Sequence, residues 1–131
     1  MTLEEFIRQE TTLPFKLSYS DCCGMANRWV DAHFGVNCFK SSGIEYSEEH
    51  ERYSITGGNL IKFFNKVCID NGATITKEPK DGDIATIRLY EGEIPIVTAA
   101  IKYKDGWFSH LDNGCCYFKK AKVARAYTWE S

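Results

Sequence analysis

The sequence has little excess charge and no long apolar segment. Lys and Arg number 16 against 18 Asp and Glu, which gives a net charge of −2. Proteins that bind phosphate backbones or anionic lipid surfaces need an excess of clustered basic residues, and this chain lacks one. No stretch approaches the roughly 18 consecutive apolar residues that a membrane-spanning helix requires. We therefore expect neither nucleic-acid binding nor membrane insertion.

Two further classes are disfavoured by what the chain lacks. The start, Met1 to Glu5, is acidic and no apolar segment follows it, so we expect no signal peptide and synthesis in a cytosol. The six cysteines include two adjacent pairs, at positions 22–23 and 115–116, and neighbouring cysteines rarely bridge each other. No Cys-x-x-Cys pair occurs. We expect no disulfide framework, no structural metal and no cofactor.

The pattern of apolar residues changes from helical spacing to alternation about two thirds of the way along the chain. A length of 131 residues predicts one domain, 1–131. Helices are predicted over 2–9, 22–33 and 60–68, with a polar helical turn at 47–53. Strands are predicted over 83–90, 94–103, 107–111, 115–119 and 123–129. This order predicts an α+β fold with helices packed on an antiparallel meander.

The segment Asp21-Cys22-Cys23-Gly24 places a thiol on the first turn of a predicted helix. Ser20 or Asp21 can cap that helix. Unpaired backbone N–H groups and the positive end of the helix dipole favour the thiolate, which is the reactive form. Cys22 is therefore a candidate nucleophile, and a small buried core residue is the alternative interpretation. Cys23 points further round the helix and is expected in the core.

The order of these motifs resembles the NlpC-type papain-like cysteine peptidases, which cut cell-wall peptides. In that family the helix begins Asp-Cys-Ser-Gly, and residues 21–24 here read Asp-Cys-Cys-Gly. The family turn Pro-x-x-Gly-Asp corresponds to residues 79–83, and residues 98–102 and 105–110 take the places of the next two strands. The resemblance covers about residues 13 to 129. It implies a papain-like fold with Cys22 as the nucleophile.

The chain is more similar still to a small branch of that superfamily found among phage tail genes. The shared features are the compact length, the early Asp-Cys and aromatic residues in the middle and at the end of the chain, namely Tyr46, Tyr53, Tyr127 and Trp129. This resemblance implies synthesis in the host cytoplasm followed by incorporation into the virion tail. It implies other tail or assembly proteins as partners and peptidoglycan peptides as the substrate class.

The chain departs from the family at the general base. Where the peptidases carry the base histidine, this sequence has Thr98 or a neighbour. His110 falls at the place of the family's third, orienting residue, and it is the one histidine suited to serve Cys22. His33 lies at the far end of the Cys22 helix, and His50 lies in a charged segment. We take His110 as a candidate base, with a hydrogen-bonded strand-end histidine as the alternative.

Three functions therefore stay open. The chain is a degenerate cell-wall peptidase or amidase of a phage tail, which keeps Cys22 without the usual base, or an active thiol hydrolase that uses Cys22 and His110. The third is a small phage-encoded inhibitor that binds a host protein through exposed aromatic residues. Half of the aromatic residues on the last strands are expected to be exposed or to bury against a partner. These residues are Trp107, Phe108, Tyr117, Phe118, Tyr127 and Trp129.

Overall fold

The computed structural model describes residues 1–129, except for the side chain of Glu91. Within this part the helices come first and the strands follow. The helices are α1 (Leu3–Glu10), α2 (Cys22–Phe34), α3 (Cys38–Ser41), α4 (Glu49–Thr56) and α5 (Leu60–Asp70). The strands are β1 (Thr74–Thr76), β2 (Ile84–Glu91), β3 (Ile94–Tyr103), β4 (Gly106–Leu111), β5 (Gly114–Phe118) and β6 (Lys122–Thr128).

The six strands form one antiparallel sheet in the order β1-β6-β2-β3-β4-β5. The expectation of helices packed on an antiparallel sheet is confirmed. The meander, however, runs only from β2 to β5. The last strand does not extend it, because β6 returns to pair with β2 and then holds the short strand β1 at the sheet edge.

The short link between β5 and β6 requires the sheet to curl. Residues 119–121 join two strands that stand four places apart in the sheet order. Four strand spacings in a flat sheet amount to about 19 Å, whereas four extended residue steps reach only about 14 Å. The sheet is therefore strongly curled. Its inner face buries a small cluster of Ala85, Ile87, Ala100, Trp107 and Ala126.

The outer face of the sheet packs on α2. Met25, Ala26 and Val30 of this helix are fully buried against a core that includes Ala99 and Ile101 of β3. The two alanines bring helix and strand close together, because neither adds a side chain beyond Cβ. The Trp29 indole Nε1 donates to the carbonyl oxygen of Gly82 at 2.7 Å. This bond holds the helix at the entrance to the sheet.

The curled sheet also decides which aromatic residues meet solvent. Of the six aromatic residues on the last strands, Tyr117 is the one that is exposed, at 39%. Burial of such residues against a partner, the other part of the expectation, stays a prediction. Trp107, Phe108 and Tyr127 are buried, and Phe118 and Trp129 are half-buried. The two sides of the sheet are both packed, so alternation along these strands does not lead to an aromatic surface.

Local patterns predicted most elements to within a few residues. β3 has the predicted bounds, and the predicted polar turn at 47–53 is a true helix, α4. The sequence analysis missed α3 and β1, which are four and three residues long and carry no periodicity of their own. In the described part of the chain, no helix combines the length and apolar character needed to cross a membrane.

The start of α2 depends on a close backbone approach at Gly24. A Cβ placed on Gly24 would lie 2.6 Å from both the carbonyl carbon of Ser18 and the amide nitrogen of Tyr19. Both atoms are main-chain atoms, so no change of rotamer can relieve the contact. Glycine at this position therefore lets the loop before α2 lie directly on the helix.

We expect Gly24→Ala to destabilise the protein by about 1–3 kcal/mol, because overpacking against backbone outweighs the gain in helix propensity. Urea denaturation followed by circular dichroism measures this. Ala32→Ser, at an exposed position of the same helix, is the control and is expected to change stability by less than about 0.5 kcal/mol. An alanine variant as stable as the wild type would show that the loop moves away without cost.

Candidate active site

A buried carboxylate holds the N-terminus of α2 in place. Asp21 is the N-cap and is fully buried, and its Oδ1 accepts from the Gly24 N–H at 2.7 Å. Its Oδ2 accepts from the Ser18 N–H at 3.1 Å and from the Tyr46 hydroxyl at 2.5 Å. Three donors to one carboxylate compensate for the loss of its hydration. The residue that follows, Cys22, is therefore held at a defined position on the first turn.

Cys22 and Cys23 form a pair of contacting free thiols. Their sulfur atoms lie 3.9 Å apart, and Cys22 is half-buried whereas Cys23 is 4% exposed. Because Cys23 sits in the core, its ionisation is the more costly of the two. When one of the two thiols ionises, Cys23 therefore keeps its proton and donates to the Cys22 thiolate. All six cysteines are free.

The environment lowers the pKa of the Cys22 thiol to about 7. The hydrogen bond with the Cys23 thiol is the largest cause, and hydrogen bonds with the Thr98 hydroxyl and the Ala99 backbone act in the same direction. Burial and the charge of Asp21 oppose them. The pKa of Cys23 is raised well above its usual value, first by the hydrogen bond with Cys22 and then by burial. The pair therefore loses its first proton from the more accessible sulfur.

Thr98 lies beside Cys22 where β3 and β4 separate. The registered pairs of these strands run from Ile101–Phe108 to the turn. Nearer the site, the side chain of Ser109 replaces the backbone pairing between the two strands. Its Oγ donates to the Ala99 carbonyl at 2.8 Å and lies 3.0 Å from Thr98 Oγ1. A hydroxyl, that of Thr98, thus lies beside the Cys22 thiol. It can hydrogen-bond the thiolate, but it is too weak a base to accept its proton.

The imidazole of His110 is oriented by a carboxylate from α1. His110 Nδ1 lies 2.7 Å from Glu10 Oε2, and both side chains are buried. With Nδ1 donating to the carboxylate, Nε2 is left as the ring nitrogen that can accept a proton. A histidine held by an acidic partner in this way matches the orientation of a general base.

Arg28 completes this buried network. Its guanidinium donates to Glu10 Oε1 at 2.5 Å and to the Tyr19 carbonyl at 2.7 Å. The arginine therefore balances the charge of a carboxylate that has no contact with solvent. It also ties α2 to α1, so the helix that carries Cys22 and the acid that orients His110 are held together.

One cavity of about 330 Å³ is lined by Cys22, Thr98 and His110. The structure therefore brings all three candidate site residues to one place. In the described part of the chain, the Cys22 thiol forms a hydrogen bond with Cys23, and the His110 imidazole forms one with Glu10. No hydrogen bond joins the thiol to the imidazole there. Catalytic hydrogen bonds often form only when substrate is bound.

Sequence reasoning missed Glu10. It lies 100 residues from His110, at the end of the first helix and before the region of family resemblance. No motif marks it. The one signal is that a short amphipathic helix ends in a carboxylate that is fully buried, and burial is visible only in the fold.

Comparison of the chain with models of known families, with curated proteins and with solved structures gives no significant match. Within residues 1–129, no group of three or more His, Cys, Asp or Glu side chains is arranged to hold a metal ion.

We expect Cys22 to react with iodoacetamide with a midpoint near pH 7, because its thiolate population rises around its pKa of about 7. Cys115, whose pKa burial raises to about 11, is the internal control and should stay unmodified at neutral pH. Peptide mass spectrometry over pH 5.5–9.5 gives both profiles. Thr98→Val should shift the Cys22 profile to higher pH. A Cys22 midpoint at the value of an ordinary free thiol, about 8.5, would contradict the assignment.

Proposed function

We propose that this chain is a thiol hydrolase with a papain-like, NlpC-type domain, acting as a peptidase or amidase. The observation that carries the proposal is the Glu10–His110 pair in the same cavity as Cys22. An exposed hydrogen-bonded histidine would be ordinary. A buried histidine with a buried acid on Nδ1, lining the same cavity as a lowered-pKa thiol at a helix N-terminus, supplies the groups that acyl transfer needs.

The reaction follows from these groups. His110 Nε2 takes the Cys22 proton, and the thiolate attacks the substrate carbonyl carbon. The backbone N–H groups at the start of α2 stabilise the negative oxygen that forms. The carbon–nitrogen bond then breaks, and the leaving amine takes its proton from His110. Water then attacks the resulting thioester and passes a proton to His110. The carbon–sulfur bond breaks, the carboxylic acid product leaves, and the Cys22 sulfur regains its proton from His110.

Compared with the family pattern, the base has moved by one strand. The NlpC-type position for histidine carries Thr98, and His110 stands on the neighbouring strand β4 with Glu10 as its orienting partner. The substrate class of peptidoglycan peptides, and the place in a phage tail with other tail proteins, follow from the resemblance of residues 21–24 and 79–83 to that family. Synthesis in the host cytoplasm belongs to the same proposal.

A second candidate is a tail-associated domain of the same kind that has lost catalysis. Two observations favour it. Thr98 stands where the NlpC-type enzymes carry their base histidine, and the Cys22 thiol forms its hydrogen bond with Cys23 rather than with His110. In this case the reduced protein leaves peptidoglycan peptides intact. Cys22→Ala would then support assembly of infectious particles as well as the wild type does, whereas a required hydrolase would not tolerate that change.

Substitution of the proposed base and its partner tests the hydrolase. His110→Ala should lower kcat/KM on peptidoglycan peptides by about 10²–10⁴, the usual contribution of a general base. Glu10→Gln keeps the shape of the side chain and should lower kcat/KM by at least about 10-fold, because the imidazole loses its charged orienting partner. Cys22→Ala should be inactive. Released amines, measured by mass spectrometry, give the rates.

The exposed His50 provides the matched control, since its ion-pair partner is the exposed Glu48. His50→Ala should keep wild-type activity. Thermal unfolding of each variant separates loss of catalysis from loss of folding. Wild-type rates in a folded His110→Ala protein would remove His110 from the mechanism.

A further inference from the structure

The space around Cys22 continues on both sides of the thiol. Beside the cavity that contains His110 lies a second one of about 260 Å³, between α4 and the start of α5. Cys22, Glu49, Arg52 and Val97 line both cavities. A peptide whose scissile bond lies at Cys22 would therefore extend into both cavities, and it would contact α4 in each of them.

Arg52 is the only lysine or arginine that lines either cavity in residues 1–129. Its side chain is 34% exposed, and its Nη1 lies 3.9 Å from Asp21 Oδ2. Because Asp21 already accepts three closer hydrogen bonds, this contact positions the guanidinium by charge without using its donors. Arg52 is thus held next to the nucleophile with spare hydrogen-bonding capacity.

The other partner of Arg52 is easily displaced. Glu49 Oε2 lies 2.7 Å from Arg52 Nη2, but the Glu49 side chain is 64% exposed. A surface pair of this kind contributes little to stability, and its carboxylate can return to water. Asp112, which also lines the cavity that contains His110, is exposed. Of the charged side chains that line the two cavities, Arg52 is therefore the one held in place. An incoming anion can replace the Glu49 carboxylate on its guanidinium.

We propose that Arg52 binds a carboxylate of the substrate next to the scissile carbonyl, and so determines specificity. This inference rests on the proposed thiol hydrolase. A planar guanidinium binds carboxylates through paired, charge-assisted hydrogen bonds. The carboxylate has two sources in a peptide: an acidic side chain, or the α-carboxylate left free when glutamate is linked through its side chain.

Four peptides of the form Ala-X-Lys-Ala test the inference and separate the two sources. X is α-linked Glu, α-linked Gln, γ-linked Glu with a free α-carboxylate, or γ-linked Glu with that carboxylate amidated. The wild type should prefer a carboxylate over its matched amide by about 10- to 100-fold in kcat/KM, the range of a charged hydrogen bond. The linkage that shows the preference identifies the source.

In Arg52→Gln the ratio of kcat/KM on the carboxylate peptide to that on its amide should fall to about one. Arg52→Lys should keep part of this preference, because the ammonium keeps the charge but lacks the paired N–H donors of the guanidinium. Using the ratio removes any effect of Arg52 on the reactivity of Cys22. Arg125→Gln, an exposed arginine on β6 that hydrogen-bonds Asn65, is the control and should keep the wild-type ratio. Equal rates on carboxylate and amide peptides in the wild type would overturn the inference.

A binding measurement distinguishes failure of this inference from failure of the proposed function. If no peptide is cut, the thiol hydrolase fails, and calorimetry with the same peptides and the Cys22→Ala protein tests Arg52 alone. Tighter binding of a carboxylate peptide that is lost in the Cys22→Ala, Arg52→Gln double variant would support carboxylate recognition. Equal binding of the matched peptides, or no binding, would refute it.

Discussion

The buried carboxylate of Asp21 is the constraint on which the site depends. It caps α2 through Gly24, closes the preceding loop through Ser18 and receives the hydroxyl of Tyr46. A carboxylate without solvent contact is stable only when its oxygens are filled by donors. These partners come from three parts of the chain. Satisfying Asp21 therefore assembles the loop, the helix start and the segment before α4 around the neighbouring Cys22.

A second buried charge organises the opposite wall of the site. Glu10 joins Arg28 of α2 to His110 of β4, so one carboxylate links the first helix, the central helix and the sheet. Asp21 and Glu10 have different roles. Asp21 sets where the thiol lies, and Glu10 sets which way the imidazole points. The cavity opens between them because β3 and β4 lose regular pairing near Thr98 and Ser109.

Most of the secondary structure could be predicted because its signals are local. A capping aspartate and a terminating glycine bound α2, and the hairpin residues around Gly106 and Gly114 bound β4 and β5. The return of β6 to β2 could not be predicted in this way. It depends on pairing between distant strands, and together with the short link before β6 it requires the sheet to curl. The inner face of the curled sheet buries Trp107.

The sequence by itself determined the thiol at a helix start, the α+β order and the absence of histidine at position 98. Each of these follows from residues within one turn or one strand of each other. Only the tertiary structure decided that Glu10 meets His110 across 100 residues and that Arg52 lies beside Cys22. Such contacts depend on how helices pack on the curled sheet. No periodicity records that packing, because it is set by side-chain shape and by the need to pair buried charges.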